Sequence, residues 1–163
     1  MIKTDVCIIG AGPSGASTSL MLSKMKISHY IVDKSTFPRD KTCGDGLILY
    51  AYKSLLEIDK KLFQAFLKNP NFIHSKKIKL HINDNLNVNI NESQDRDMVI
   101  TYAKRFDFDY FLVNHLSKKY ANCEFGNGLK KITQLKEGVL IKLKDDKEIL
   151  SKIVLGADGI NSI

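Results

Sequence analysis

Apolar positions change their spacing several times along the chain, and each spacing predicts a different element. Asp5 to Gly10 holds an unbroken apolar run, Val6-Cys7-Ile8-Ile9, the pattern of a strand covered on both faces. Ala16, Leu20, Met21 and Met25 then recur at helical intervals from Ala16 to Lys26, and a second run, Tyr30-Ile31-Val32, ends in Asp33. A strand, a helix and a strand within about thirty residues predict a βαβ unit and a parallel sheet.

Leucines and lysines from Leu47 to about Lys68 predict one helix, stopped by Asn69-Pro70. The period then drops to two. Ile78, Leu80 and Ile82, then Leu86, Val88 and Ile90, flank Asn83-Asp84-Asn85 and predict a hairpin with one wet face. A third strand from Met98 to Tyr102 is expected to pair with it. Phe108, Phe111, Leu112, His115 and Leu116 share one helical face between Phe108 and Tyr120. Cys123 to Phe125 reads as a short strand. Leu129 to Leu135, Val139 to Leu143 and Glu148 to Leu150 read as a meander turning at Glu137-Gly138 and Asp145-Asp146. A last apolar strand, Ile153 to Leu155, runs into Gly156-Ala157-Asp158-Gly159.

Composition narrows the class. The 163 residues fit one domain, and 44% hydrophobic with 26% charged residues suits a packed globular core. Cys7, Cys43 and Cys123 show no C-x-x-C spacing and lie far in sequence from the four histidines, so no disulfide scaffold and no metal site are expected, and a reducing, cytoplasmic setting is. The net charge of +7 is spread over lysine pairs interrupted by acids, the pattern of a solvated surface and not of a nucleic-acid footprint. The eighteen uncharged residues from Val6 to Ser23 include nine Gly, Pro, Ser or Thr, which excludes a membrane span or signal core there.

Gly10-Ala11-Gly12-Pro13-Ser14-Gly15 completes G-x-G-x-x-G after a strand and at the start of a helix. That spacing gives a tight turn, a close backbone approach to a pyrophosphate, and close helix packing, with the helix N-terminus supplying N–H donors. Asp33 lies 21 residues beyond Gly12, at the end of the second strand, where a carboxylate accepts from a ribose diol and disfavours a 2′-phosphate. The pattern predicts dinucleotide binding and does not separate NAD from FAD.

Three further segments add a resemblance. Arg39-Asp40-Lys41-Thr42-Cys43-Gly44-Asp45-Gly46, then Arg105-x-x-Phe108-Asp109-x-x-Leu112, then Gly156-Ala157-Asp158-Gly159-x-x-Ser162 resemble, in this order, the signatures of the geranylgeranyl reductase family. That family belongs to a wider group of FAD enzymes with aromatic hydroxylases and flavin-dependent halogenases. The resemblance runs from Val6 to Ser162, and its R-x-K-x-C-G element points to the reductase branch. It implies an α/β, Rossmann-like FAD-binding domain with a parallel sheet, a β-meander and an inserted antiparallel hairpin region. Residues 1–46 and 103–163 would form the nucleotide-binding core, and 47–102 a helical and β insertion towards the substrate side.

The resemblance also implies roles. Gly10, Gly12, Gly15 and Asp33 would hold the pyrophosphate and adenosine ribose of FAD, with Pro13, Ser14 and Lys34 completing that set. Arg39 and Arg105 would contact phosphate or the ribityl chain, and Asp158 would accept from flavin hydroxyls. Cys43 and Gly44 would lie beside the isoalloxazine, with Cys43 the candidate catalytic residue. The residues alone leave other readings open: Arg105 pairing with Asp107 or Asp109, Cys43 as a bystander in a glycine turn, and Gly156 to Gly159 as a plain turn. Cys7 reads as core.

By this resemblance the reaction is hydride transfer from reduced flavin to an isoprenoid double bond, with NAD(P)H or another donor reducing the flavin. A flavin-dependent monooxygenase or halogenase and a non-catalytic nucleotide-binding module are the alternatives. The expected partners are a small-molecule or isoprenoid lipid substrate, with peripheral membrane contact and no nucleic acid. Two departures from the family stand out. The second Gly-Asp element and the carboxy-terminal substrate domain are not in the 163 residues, which predicts an amino-terminal part completed by more chain or by a second chain. Ser19 replaces the family's usual Ala or Gly, a change expected to loosen helix packing.

Overall fold

The computed structural model describes residues 1–83, 86–91 and 100–161. Asp84 and Asn85 of the hairpin turn, Arg96, the Met98-Val99 start of the third strand, and Ser162 lie outside the described residues. The elements are β1 (Ile2–Ile9), α1 (Pro13–Lys24), β2 (His29–Asp33), β3 (Gly46–Leu47), α2 (Leu49–Ile58), α3 (Lys60–Leu67), β4 (Ile73–Ser75), β5 (Lys77–Asn83), β6 (Leu86–Asn91), β7 (Ile100–Tyr102), α4 (Arg105–Asn114), β8 (Ala121–Phe125), β9 (Leu129–Leu135), β10 (Gly138–Leu143) and β11 (Glu148–Gly156). The chain divides into two units: Met1–Asp40 with the chain from Phe108 onward, and Lys41–Asp107 between them.

The first unit is Rossmann-like. Its six strands lie in the order β8-β2-β1-β11-β10-β9. β8, β2, β1 and β11 run parallel, and β10 and β9 continue the sheet antiparallel. The unbroken apolar run of β1 follows from the sheet's two covered faces. Cys7 and Ile9 pack with Val32, Ile141, Leu143 and Ile149 on one face, with the last three supplied by the meander strands that continue the sheet. Ile8 and Ile31 pack on the other with Leu22 of α1, Val113 of α4, Leu116, Phe37 and Phe125. Each such side chain taken out of water contributes about 1.5–3 kcal/mol. Burial pushes the Cys7 thiol up to about 12, so Cys7 is core.

Two features of this unit differ from the sequence reading. The third meander strand and the last apolar strand are one strand, β11, which pairs with β1 from Ile2↔Ile149 to Ile9↔Gly156 and with β10 on its other side. The polar pair Ser151-Lys152 looked like a break, but Ser151 is buried and its hydroxyl donates to the Ile153 carbonyl at 2.7 Å. Nor does Ser19 loosen α1. It is fully buried, with its Oγ 2.6 Å from Nε2 of the buried His29 on β2, while His29 Nδ1 lies 2.9 Å from the Ile27 carbonyl. The carbonyl can only accept, so the ring donates at Nδ1 and accepts the Ser19 hydroxyl at Nε2.

The second unit departs further. The helix read from Leu47 to Lys68 is two helices, because the Asp59 carboxylate accepts from Lys61 N–H at 2.6 Å and Leu62 N–H at 2.9 Å and caps α3. β5 and β6 form a two-stranded sheet of their own, whereas β7 lies between β3 and β4 instead of joining the hairpin. Buried Thr101 on β7 explains that pairing: its Oγ1 lies 2.7 Å from His74 Nδ1 on β4 and 2.8 Å from the Tyr52 hydroxyl. The Tyr52 hydroxyl also donates to the Leu47 carbonyl at 3.1 Å. Tyr52, Phe63, Phe72 and His74 surround the fully buried Phe66 ring.

Candidate functional site

The carboxyl ends of β1, β2 and β11 meet around the glycine loop. After Ile9 the chain turns at Gly10, whose φ of +101° is a glycine conformation and whose N–H donates to the Val32 carbonyl at 2.7 Å. A Cβ on Gly10 would stand 2.4 Å from the Ala157 carbonyl oxygen, and one on Gly15 would stand 1.8 Å from the Gly10 oxygen. Gly12 is the extended N-cap of α1, Pro13 occupies the first turn, and that turn carries no acidic side chain. Helix N–H groups in the first turn lack intrahelical partners and sit at the positive pole of the dipole, which suits a phosphate.

Asp33 faces this loop. One carboxylate oxygen accepts from Ala11 N–H at 2.7 Å and the other from Ser35 N–H at 2.8 Å. Each oxygen keeps a further acceptor site for a sugar hydroxyl. Lys34 follows, exposed. Asp158 is half-buried in the turn after β11, where Ala157 N–H donates to the Ile9 carbonyl at 2.7 Å, so the Gly156 to Gly159 segment abuts the glycine loop. The first unit therefore brings Gly10, Gly12, Pro13, Ser14, Gly15, Asp33, Lys34 and Asp158 to the carboxyl ends of its central strands.

Arg39 belongs to the same unit and is held by a protein partner. Its Nη2 lies 3.1 Å from Asp109 Oδ2 on α4, and its guanidinium lies over the Phe37 ring, 5.3 Å from the centroid. Sequence reasoning placed Asp109 in a motif and gave it no role beyond an alternative partner for Arg105. It also passed over Gly126-Asn127-Gly128 after β8. There, Gly126 N–H donates to the Ser35 carbonyl at 3.0 Å, Asn127 N–H donates to the Asp33 carbonyl at 3.1 Å, and a Cβ on Gly128 would come 2.9 Å from Lys34 Cβ. The signal available was a Gly-x-Gly directly after the short strand that ends at Phe125.

Cys43, Gly44 and Arg105 lie in the second unit. Cys43 is exposed, nothing stands within 4 Å of a Cβ on Gly44, and the Asp45 carbonyl accepts from Ala103 N–H at 2.8 Å. Arg105 opens α4, where Asp107 accepts from Asn71 at 2.8 Å. Among the described residues no three His, Cys, Asp or Glu side chains group as metal ligands, and no helix is long and apolar enough to cross a membrane.

The family described as FAD binding domain matches residues 3–163. The chain belongs to the FAD-binding domain family. Its cofactor is FAD, and the glycine cradle, the uncapped helix start and the Asp33 carboxylate fit a pyrophosphate and a ribose. Along its whole length the FAD-binding domain is 31% identical to an uncharacterized protein of Methanosarcina barkeri, of which it covers 39%. It is 26% identical over 97% of its length to a digeranylgeranylglycerophospholipid reductase of Methanosarcina acetivorans, covering 38% of that protein. Among solved structures, a geranylgeranyl bacteriochlorophyll reductase-like protein from Thermoplasma acidophilum superposes with a TM-score of 0.75 at 20% identity, over 98% of this chain and 40% of that one. The chain thus spans about two fifths of the length of these relatives.

Proposed function

We propose that this FAD-binding domain serves a flavin-dependent reductase of isoprenoid double bonds. The observation that carries the reading is the R-x-K-x-C-G element at Arg39 to Gly44, set in a chain similar from end to end to an archaeal lipid reductase. In this reading the glycine loop and the start of α1 hold the pyrophosphate, aided by Pro13, Ser14 and Lys34. Asp33 holds the adenosine ribose, Arg39 contacts phosphate or the ribityl chain, and Asp158 accepts from flavin hydroxyls. The roles of Cys43, Gly44 and Arg105 rest on the resemblance. Bound FAD supplies the two-electron redox chemistry, and the chain supplies orientation and electrostatics. The electron donor in this reading is NAD(P)H or another donor, and a lipid substrate implies peripheral membrane contact.

The test is anaerobic. The full-length protein is reconstituted with FAD, reduced chemically and mixed with a geranylgeranyl lipid. Reoxidation of the flavin with gain of two hydrogens per reduced double bond, read by absorbance and mass spectrometry, is the expected result. A preparation that retains no flavin overturns the cofactor assignment. Oxygen consumption stimulated by an aromatic compound and not by the lipid replaces the reductase with a hydroxylase or halogenase.

A further inference from the structure

We infer that Asp109 is a positioning residue of the nucleotide site, acting through Arg39. The Asp109 carboxylate is fully buried on α4, between the buried Phe108 and the equally buried Phe111 and Leu112, so it cannot swing out to water. A buried carboxylate is stable only when paired and hydrogen-bonded, and Arg39 Nη2 stands 3.1 Å from its Oδ2 with the arginine side chain 17% exposed. Phe37 supports one face of the guanidinium. That ring meets Phe125 edge-on at 5.2 Å between centroids and packs in the cluster that contains Ala11 of the glycine loop.

Arg39 is therefore gripped on one edge by a carboxylate and on one face by a ring that belongs to the same cluster as the phosphate-binding loop. A guanidinium carries five N–H donors in a rigid fork, so the contact to Asp109 leaves donors for an anion. A free arginine side chain carries substantial rotamer entropy, and a side chain already fixed does not lose it again on binding. Asp109 orders Arg39 before the cofactor arrives. This rests on the proposed contact between Arg39 and FAD, and the alternative is a strut that only ties the loop after β2 to α4.

The two are separated by FAD titration of the full-length protein, read by flavin fluorescence, in a double-mutant cycle. Asp109→Asn and Arg39→Ala are each expected to weaken FAD about tenfold, and the double variant is expected to bind no more weakly than Arg39→Ala alone. Unchanged affinity in Asp109→Asn overturns the inference. So does an equal loss on adding Asp109→Asn to the Arg39→Ala background, because that loss does not pass through Arg39. Near-ultraviolet circular dichroism checks the fold. Should Asp109→Asn not fold, Asp109→Glu keeps the charge and displaces the carboxylate by one methylene. A loss with Arg39 present and none in its absence supports positioning, and equal losses in both backgrounds overturn it. Wild-type protein that does not bind FAD defeats the proposed function instead, and is distinguished by the unmutated titration.

Discussion

The two units solve the problem of holding a precise shape by different means. In the first unit, β-branched strands fill both faces of a largely parallel sheet, and the site at its carboxyl end is made largely of backbone: a glycine turn at φ +101°, an uncapped helix start, and N–H groups aimed at Asp33. In the second, the strands are two or three residues long apart from the β5–β6 hairpin, and the order comes from side chains, with Phe66 inside a ring of aromatics beside the Tyr52–Thr101–His74 chain. Backbone sites tolerate no added atom where they are tightest. Side-chain sites lose stability in proportion to the contact removed.

The largest effect tests the first half of that contrast. Gly15→Ala puts a Cβ 1.8 Å from the Gly10 carbonyl oxygen, so helix and loop must separate. FAD affinity of the full-length protein is expected to fall by at least about a hundredfold, and fluorescence titration that finds wild-type affinity breaks the comparison. Next is Phe66→Ala, which empties the centre of the aromatic cluster. Destabilisation of about 3–5 kcal/mol by denaturant unfolding is expected, and a loss below 1 kcal/mol would show that the cluster is not what orders the second unit.

The smallest effect is a pH dependence in the first unit. Burial lowers the His29 pKa below its ordinary value, partly offset by the hydrogen bond to Ile27. Between the lowered folded value and the unfolded value of about 6.5, the unfolded chain binds the extra proton. Stability is therefore fully present above that pH and declines as pH falls through it. A thermal melt is expected to shift down between neutral and mildly acidic pH, and the shift is expected to shrink in the Ser19→Ala, His29→Leu double variant. An identical pH profile in that variant assigns the effect elsewhere.

The βαβ unit was legible because its signals are local. A strand buried on both faces, a glycine turn and an acid at the next strand end lie within about thirty contiguous residues. Asp59 was legible in principle, since an aspartate two residues before an N–H it caps is a helix start, but the leucines on either side masked it. Three features were hidden from local pattern. β7 chooses β3 and β4 because Thr101 bonds His74, 27 residues away, and Tyr52, 49 residues away. β11 is continuous because Ser151 is buried, which its polarity conceals. Arg39 and Asp109 appear in separate motifs, and only the fold joins them.

One pairing has a consequence for how the protein is made. β1 sits between β2 and β11, and its partner in β11 lies 147 positions later, as Ile2↔Ile149 shows. Until the ribosome has released Gly156, the nascent chain holds its first strand with one flank open, a hydrogen-bonding edge free to capture another polypeptide. The nucleotide cradle closes only when Ala157 reaches the Ile9 carbonyl, so cofactor capture waits for that residue to be made, and until then the open flank is a place for misassembly.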